Sequence, residues 1–451
     1  MRRFNLLWLA ASSLLWAVAA CAATRPHYGG SLRVAMREMP QAADPTSLIQ
    51  AGASNISRLI FDTLVVLDDR GQPQPWLATE WQAEPGDQRW RLSLRSGVSF
   101  SDGAAMNAAA VAVSLRSANP EWKVIAAGDT VIVETDVSHP DMPLELTLAR
   151  NAIAHGGGPQ PSGTGPFSLS QWLPAKHLTL IANDQYWGGR PFLDSIEVDF
   201  GRNDREQLTA LDLGRIDIAE VAPENIRHAR ADGRSVASSN PCDLLALVFA
   251  APVRSEEETH ARNALALSID TAAINNVVLQ GGGDPTGALL PNWLSGYAFV
   301  FSPPTNPGRA RQEPVLAKQV ASFVLGYNVA DPVAHTIAER ILLNARDAGI
   351  ALQLTTSGRP DMTLTRIPIA SANGQIALME LAKALQLTLP QSAGGSATVL
   401  YSAEKTLLQS RRVIPLIHLR QGVAVRLAVH DFNMRPDGSW QIQNAWLAEK
   451  P

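Results

Sequence analysis

Residues 90–115 read WRLSLRSGVSFSDGAAMNAAAVAVSL, and three kinds of local order follow one another within them. Trp90-Arg91-Leu92-Ser93-Leu94 alternates apolar and polar residues, the period of a half-buried strand. Asp102-Gly103 is a turn pair whose glycine accepts positive φ. From Ala104 to Leu115 the pattern turns helical, with Val111 and Leu115 on one face. A strand, a tight turn and a helix in immediate succession point to a mixed fold.

Working outward, the same interleaving continues. Ser31 to Ala35 reads as a strand, followed by turns at Met39-Pro40 and Asp44-Pro45. Ser54 is placed to cap a helix running through Arg58, Leu59 and Phe61. Leu178 to Ile181 and Ile196 to Phe200 are further strands, and Ala261 to Leu279 and His335 to Ala348 are substantial helices. Residues 301–313, rich in Pro, Gly and Arg, make a surface loop. Helices and strands alternate without long blocks of either, so the class is α/β (mixed α+β). No internal repeat is present.

Size sets the domain count. A chain of 451 residues exceeds one compact core, so two or three domains are expected. Hydrophobic residues at 46% and charged residues at 18% are ordinary for a folded protein, which sets bulk disorder aside. The net charge of −4 and the lack of any Lys/Arg-rich run argue against a nucleic-acid partner.

The compartment is written at the start. Arg2 and Arg3 precede an uncharged apolar stretch from Leu6 to Ala20, with Ala19, Ala20, Ala22 and Ala23 as a small-residue cleavage zone. That is a secretory signal peptide over residues 1–20, too short for a membrane span. Val18-Ala19-Ala20-Cys21 resembles a lipobox, in which Cys21 is acylated and becomes the new N-terminus. Ala20-Cys21-Ala22 also serves as an ordinary Ala-x-Ala cleavage site, so both processing routes stay open. The expected location is the periplasm or cell surface, with membrane association only through a lipid on Cys21.

Cys242 is the other of the two cysteines. It precedes the apolar run Leu244 to Phe249, where a half-buried inert thiol is expected. Without a CxxC, a Cys/His cluster or an HExxH, the sequence supports neither a zinc site nor any other metal or cofactor.

A set of stretches follows in fixed order along the chain. They begin at Gly29-Gly30-Ser31-Leu32-Arg33-Val34 and Ala43-Asp44-Pro45, then Ser54-Asn55-Ile56-Ser57-Arg58 and Phe61-Asp62-Thr63-Leu64. Pro75-Trp76-Leu77-Ala78-Thr79-Glu80-Trp81 and Leu94 to Gly103 follow. Gly163-Thr164-Gly165-Pro166-Phe167, Asn183-Asp184-Gln185-Tyr186-Trp187 and Leu213-Gly214-Arg215-Ile216-Asp217-Ile218 keep the order. Ala261 to Asp270, Val413-Ile414-Pro415-Leu416 and Gly438-Ser439-Trp440 complete it. In these stretches and their order the chain resembles the large solute-binding proteins of peptide and nickel ABC importers.

The resemblance implies a two-lobed, periplasmic-binding-protein-like fold with a hinge and a ligand enclosed between the lobes. It divides the chain into a first lobe over 21–54, 166–253 and 413–451, an inserted subdomain over 55–165, and a second lobe over 254–412. The chain is expected to cross between lobes at Leu245–Pro252 and Val413–Gly422. The implied partners are a small ligand, a peptide foremost, and an ABC permease, with the protein itself a monomer.

The family's cleft-lining loop maps by motif position onto Gln50, Ala51, Gly52 and Ala53. The end of Met362-Thr363-Leu364-Thr365-Arg366 should enter the cleft, making Thr365 and Arg366 ligand-binding candidates. Arg366 has the planar fork for a carboxylate. Peptide-binding members carry a Gly-Trp and a nearby Asp after that strand, to hold the peptide's amino end. This chain continues Ile367-Pro368-Ile369-Ala370-Ser371-Ala372-Asn373 instead, without an acid before Glu380, so that anchor is missing or replaced, and a nickel chelate, a glycan, haem, another ligand or a degenerate cleft stays open.

Two enzyme-like patterns occur. Ser402-Ala403-Glu404-Lys405 fits Ser-x-x-Lys, and His155-Gly156-Gly157-Gly158 echoes an esterase oxyanion loop. Neither has its companions, a Ser-Asp-Asn or Lys-Thr-Gly element or a Gly-x-Ser-x-Gly elbow, and the expectation is a protein that is not an enzyme. A lipid-tethered sensor or adaptor on the same fold is the other alternative.

Overall fold

A computed structural model of the chain describes residues 25–48, 51–158, 160–313, 322–389 and 395–448. Two large sheets organise them. The first has seven strands in the order Phe167–Leu173, His177–Ala182, Ser195–Asp199, Ser31–Ala35, Ile218–Val221, Gly422–Val425 and Val236–Ser238. Ser31–Ala35 lies at its centre, parallel to both neighbours. Leu32, Val34, Ile196, Val198, Leu178 and Leu180 are buried in its core, so alternate residues of each strand enter one apolar layer.

The second sheet has six strands, ordered Gly283–Pro285, Val413–Leu419, Asp243–Phe249, Met362–Pro368, Ser322–Tyr327 and Ala351–Thr355. The helices Glu256–Ser268 and Ala334–Asp347 pack their apolar stripes on one of its faces, through Ala264, Leu265, Ile337 and Ile341. The helices Gly374–Ala384 and Ala397–Gln409 cover the other, through Leu378, Leu381 and Leu407. A sheet clothed on both faces explains why Val413–Leu419 is apolar and buried along its length, apart from Pro415 and His418 by type. The mixed helix-and-sheet class expected from the sequence is the one observed.

A separate four-stranded antiparallel sheet, ordered Ala78–Ala83, Arg89–Leu94, Thr130–Glu134 and Lys123–Ala127, carries the helix Ala108–Ala118. Trp90, Leu92, Val111, Leu115, Val131 and Val133 fill the space between them. That helix starts later than its periodicity predicts. Residues 104–106 instead fold back on 98–100, with Phe100 N–H on Ala104 O and Met106 N–H on Val98 O, and Asn107 then caps the helix.

Other local expectations shift for equally specific reasons. Ser54 sits inside the helix Ala51–Ile60 and is not its cap. The long helix expected over 261–279 is interrupted. It runs Glu256–Ser268, opens at extended Ile269, and restarts when Asp270 caps a short turn. Arg262, next to the acidic run 256–258, is only 2% exposed. It lies 4.0 Å over the Phe249 ring, with its guanidinium bound by Glu258 and the carbonyls of Ala251 and Arg411.

Asp243–Phe249 and Val413–Leu419 both hydrogen-bond within the second sheet, whereas Gly422–Val425 joins the first. The chain therefore changes sheet between Ser238 and Asp243 and again between Leu419 and Gly422. The first change comes earlier than the expected 245–252 crossing, because Leu244, Leu245 and Leu247 are already buried in the second lobe's two cores.

Candidate functional site

The two changes of sheet, with the loops beside them, enclose a polar cavity of 130 Å³. Arg37 and Glu38 enter it just past the central strand Ser31–Ala35, and Glu220 comes from Ile218–Val221. Asp243 opens one crossing strand, Arg420-Gln421-Gly422 forms the other crossing, and Arg366 and Pro368 end a strand of the second sheet. The space continues into a compartment of 250 Å³ that shares Asp243, Pro368 and Gln421. Beyond it, an outer compartment of 390 Å³ shares Arg58, Ala149, Ser371 and Ser439 and adds Phe61, Trp76 and Trp293. The cleft thus runs from a charged end to a partly aromatic one.

The charges in the 130 Å³ cavity are paired in a definite way. Glu220 accepts from Arg37 N at 2.8 Å and from Arg37 Nε at 3.4 Å, and Asp204 lies 3.6 Å from the same guanidinium. Arg420 Nη2 donates to Asp284 at 3.0 Å. Arg366 Nη2 is 3.3 Å from Asp331, and its buried Nε has no hydrogen-bond partner among the described residues. All three arginines are engaged by carboxylates.

Two lining carboxylates have no such cation among the described residues. Asp243 is 6% exposed, and the nearest side-chain donor to it is Gln421 Nε2 at 3.4 Å. Burial pushes the Asp243 carboxyl above its ordinary range, against the opposing charges of Arg366 and Arg37. The register pairs Asp243 with Pro368 and Leu245 with Arg366, so Asp243 and Arg366 share one face of the sheet as a diagonal pair. Glu38 accepts from the amides of Gly52 at 3.1 Å and Ala53 at 2.6 Å, at the start of the helix Ala51–Ile60. Burial first, and then the charge of Glu220, push Glu38 up to about 7.

The candidates read from the sequence are distributed unevenly. Gln50 and Cys21 lie outside the described residues, and Ala51 begins the helix. Gly52 lines the cavity, where a Cβ would meet Glu220 Oε1 at 2.6 Å and Glu38 Oε2 at 2.8 Å. Ala53 is buried and gives its amide to Glu38. Arg366 lines the cavity, while Thr365, on the opposite strand face, lines none of the three compartments. Sequence reading missed Arg37, Glu38, Glu220 and Asp243. One signal was available for Asp243, an acid directly abutting the wholly apolar run Leu244 to Phe249.

The enzyme-like patterns resolve into structure. Ser402 is exposed on the helix Ala397–Gln409 and donates to Thr398 O, while Lys405 sits over the Tyr401 ring. Glu404, between them, is fully buried and holds Tyr297 Oη at 2.8 Å and the amides of Leu289 and Leu290. His155 pairs with Asp102 at 2.7 Å and stacks on Phe100, on the exposed side of the inserted subdomain. Cys242, expected half-buried, is 2% exposed, and burial holds its thiol well above the usual range. Among the described residues no group of three or more His, Cys, Asp or Glu is placed to hold a metal ion. No helix among them is long and apolar enough to cross a membrane.

Comparison with known proteins gives a consistent picture. Residues 72–374 match the model for bacterial extracellular solute-binding proteins, family 5 middle. The chain is similar to the probable D,D-dipeptide-binding periplasmic protein DdpA of Escherichia coli, 23% identical over 70% of this chain and 68% of that one. It is also similar to the glutathione-binding protein GsiB of Salmonella typhi, 24% identical over 68% of this chain and 64% of that one. A solved dipeptide-binding protein from Pseudoalteromonas in complex with Met-Leu superposes with a TM-score of 0.78 at 16% identity, covering 93% of this chain and all of that one.

Proposed function

Because the chain belongs to the bacterial extracellular solute-binding proteins of family 5, we propose that the solute it captures is a short peptide, held in the cleft between its two large sheets. The protein is the extracytoplasmic solute-binding component of an ABC importer, and its relatives are substrate-binding proteins and not enzymes. The choice of ligand rests on one observation. Asp243, buried at the junction of two cleft compartments and without a cation of its own, supplies the acid that the sequence after Arg366 lacks.

A peptide amino group at Asp243 would pair the carboxylate and recover the cost of burying it, since an isolated buried charge is unfavourable by several kcal/mol. The chain of the ligand then follows Pro368 to Ser371 toward the partly aromatic end, where apolar side chains find Ile367, Ile369, Phe61 and Trp76. Gly52, Ala53 and Arg366 form the surround of the amino end, with Gln50, Ala51 and Thr365 on the same two segments. Lipid attachment at Cys21, a monomeric state and delivery to a dedicated permease complete the proposal.

The test is a thermal-shift screen of the purified protein against dipeptide and tripeptide pools, with nickel–histidine chelate and oligosaccharides as comparators. A ligand at a hundred times its Kd should add about 2.7 kcal/mol of stability. A shift from peptides that is lost in Asp243→Asn supports the proposal. A shift from the chelate or a sugar alone overturns the peptide assignment.

A further inference from the structure

One end of the cleft holds two carboxyl groups that the arginines lining it leave unpaired. Arg37, Arg366 and Arg420 line it, and each is engaged by an acid: Arg37 by Glu220 and Asp204, Arg366 by Asp331, Arg420 by Asp284. Glu38 and Asp243 remain, lining the same 130 Å³ cavity, and neither has an ion pair among the described residues. Glu38 comes from the first lobe and Asp243 from the start of the second sheet, so the two approach the cavity from opposite sides.

We infer that this end of the cleft selects a ligand with two positive charges, a peptide bearing a lysine- or arginine-type side chain as well as its amino terminus, held by Glu38 and Asp243. The inference rests on the peptide reading above and narrows it.

Three features beyond the count of acids support it. Asp243 is a charged side chain more than nine-tenths buried and turned into the cavity, with only a 3.4 Å contact from Gln421. Such a group is stabilised when a cation arrives to pair with it and leaves a large penalty when none does. Buried Glu224 Oε2, on the turn next to lining residue Pro223, has no hydrogen-bond partner among the described residues. Finally, Gly52 keeps the approach to Glu38 open, because any side chain there would press on Glu38 Oε2 and Glu220 Oε1. The two amides on Glu38 fix its carboxylate, which still has lone pairs to offer an ammonium group.

A neutral side chain at this end offers Glu38 no charge pair and leaves its carboxyl group with the two amide donors alone. The same chemistry is offered by a free diamine, and the experiment separates the two sources. Calorimetric titration of the purified protein uses Lys-Ala-Ala, the near-isosteric norleucine-Ala-Ala, and cadaverine.

Lys-Ala-Ala should bind roughly 30-fold tighter than norleucine-Ala-Ala, the scale of one close charge pair. Glu38→Gln should reduce that ratio to roughly 3-fold or less, with the melting temperature of the variant reporting that it is folded. Equal affinity of the two peptides overturns the inference while leaving peptide capture intact. A ratio that survives Glu38→Gln overturns the role of Glu38. Binding of cadaverine without either peptide keeps the selection for two charges and overturns the peptide reading, and binding of none of the three overturns both.

Discussion

Arg150 Nη1 donates to Glu380 Oε2 at 2.6 Å, joining the segment that follows the four-stranded sheet to the helix Gly374–Ala384 on the second sheet, in the wall of the cleft. The contact does not stand alone. Gln375 Nε2 donates to Asp141, and Asn373 Nδ2 donates to Gly71 O at 3.0 Å, so the start of this helix and its Glu380 carry three polar bridges between the lobes. Arg150 is held in place from behind by Glu145 at 2.9 Å, which is in turn 2.8 Å from His139.

Breaking this bridge should favour the open form. Arg150→Ala leaves Glu380 without its cation, and loss of a half-buried charged hydrogen bond costs about 1–3 kcal/mol. The expected result is a larger radius of gyration by small-angle scattering for the unliganded variant than for the parent protein. Glu380→Gln, which retains one acceptor, should shift it less. An unchanged scattering profile in Arg150→Ala would mean the bridge does not hold the lobes.

Asp62 is the structural counterpart within the first lobe. Its carboxylate accepts from Trp76 Nε1 at 2.8 Å, Trp187 Nε1 at 3.1 Å, Thr164 Oγ1 at 3.1 Å and Tyr186 Oη at 3.4 Å. Asp62→Ala would strand four donors, and the expected loss of stability is about 3–5 kcal/mol. Urea unfolding followed by tryptophan fluorescence measures it. Asp62→Asn, keeping one acceptor oxygen, should lose about half as much.

That hub shows why so much of the fold could be read from the sequence. Asp62, Trp76, Thr164, Tyr186 and Trp187 come from four of the quoted motifs, which are remote in the chain yet converge on one carboxylate. Gly163 and Gly165 belong to the same set for a steric reason. A Cβ on Gly163 would lie 1.9 Å from Ile60 O, and one on Gly165 would lie 2.7 Å from it, so the loop packs flush on the end of the helix Ala51–Ile60. Residue types forced by packing of this kind leave a pattern in the sequence.

The cleft left a weaker pattern. Arg37 meets Glu220 across 183 positions and Asp243 meets Gln421 across 178, and nothing local ties either partner to the other. The charge on Glu38 is set by burial and by Glu220, both consequences of tertiary structure. Arg366 was singled out by its place in the family's pattern, near the end of a strand, whereas its engagement by Asp331 left no local signal. Local rules of the same kind gave the helix 108–118 its existence and not its start, since the 98–106 backbone pairing decides where it begins.

Gly52→Ala tests the crowding around the acids. The added methyl would sit 2.6 Å from Glu220 Oε1 and 2.8 Å from both Glu38 Oε2 and Met36 Cε, so at least one carboxylate must move. Overpacking of this order costs about 1–3 kcal/mol. Peptide affinity should fall by at least about tenfold, the equivalent of 1.4 kcal/mol. If titration finds the affinity unchanged, the ligand does not reach this end of the cleft.

The acids also predict how stability follows pH. Glu38, ordinarily near 4.5, is pushed up to about 7 by burial and then by Glu220, against the opposing Gly52 and Ala53 amides and Arg37. The other charged groups around the cavity are Asp204, Glu224, Asp243, Arg366 and Arg420. Between these two pH values the folded protein keeps a proton that the unfolded chain has released. The folded state therefore binds more protons, and stability falls as pH rises through this window. The full shift would amount to about 3 kcal/mol lost between pH 4.5 and 7, with little further change from Glu38 above it. Chemical unfolding at pH 5, 6, 7 and 8 measures the slope, and Glu38→Gln should flatten it by removing the titrating group. A cationic ligand reverses the sense, because pairing with an ammonium group favours the ionised carboxylate. Binding of Lys-Ala-Ala should tighten from pH 5 to pH 8 and release protons from Glu38 as it does so. A binding constant independent of pH in the parent protein would show that Glu38 is not in contact with the ligand's charge.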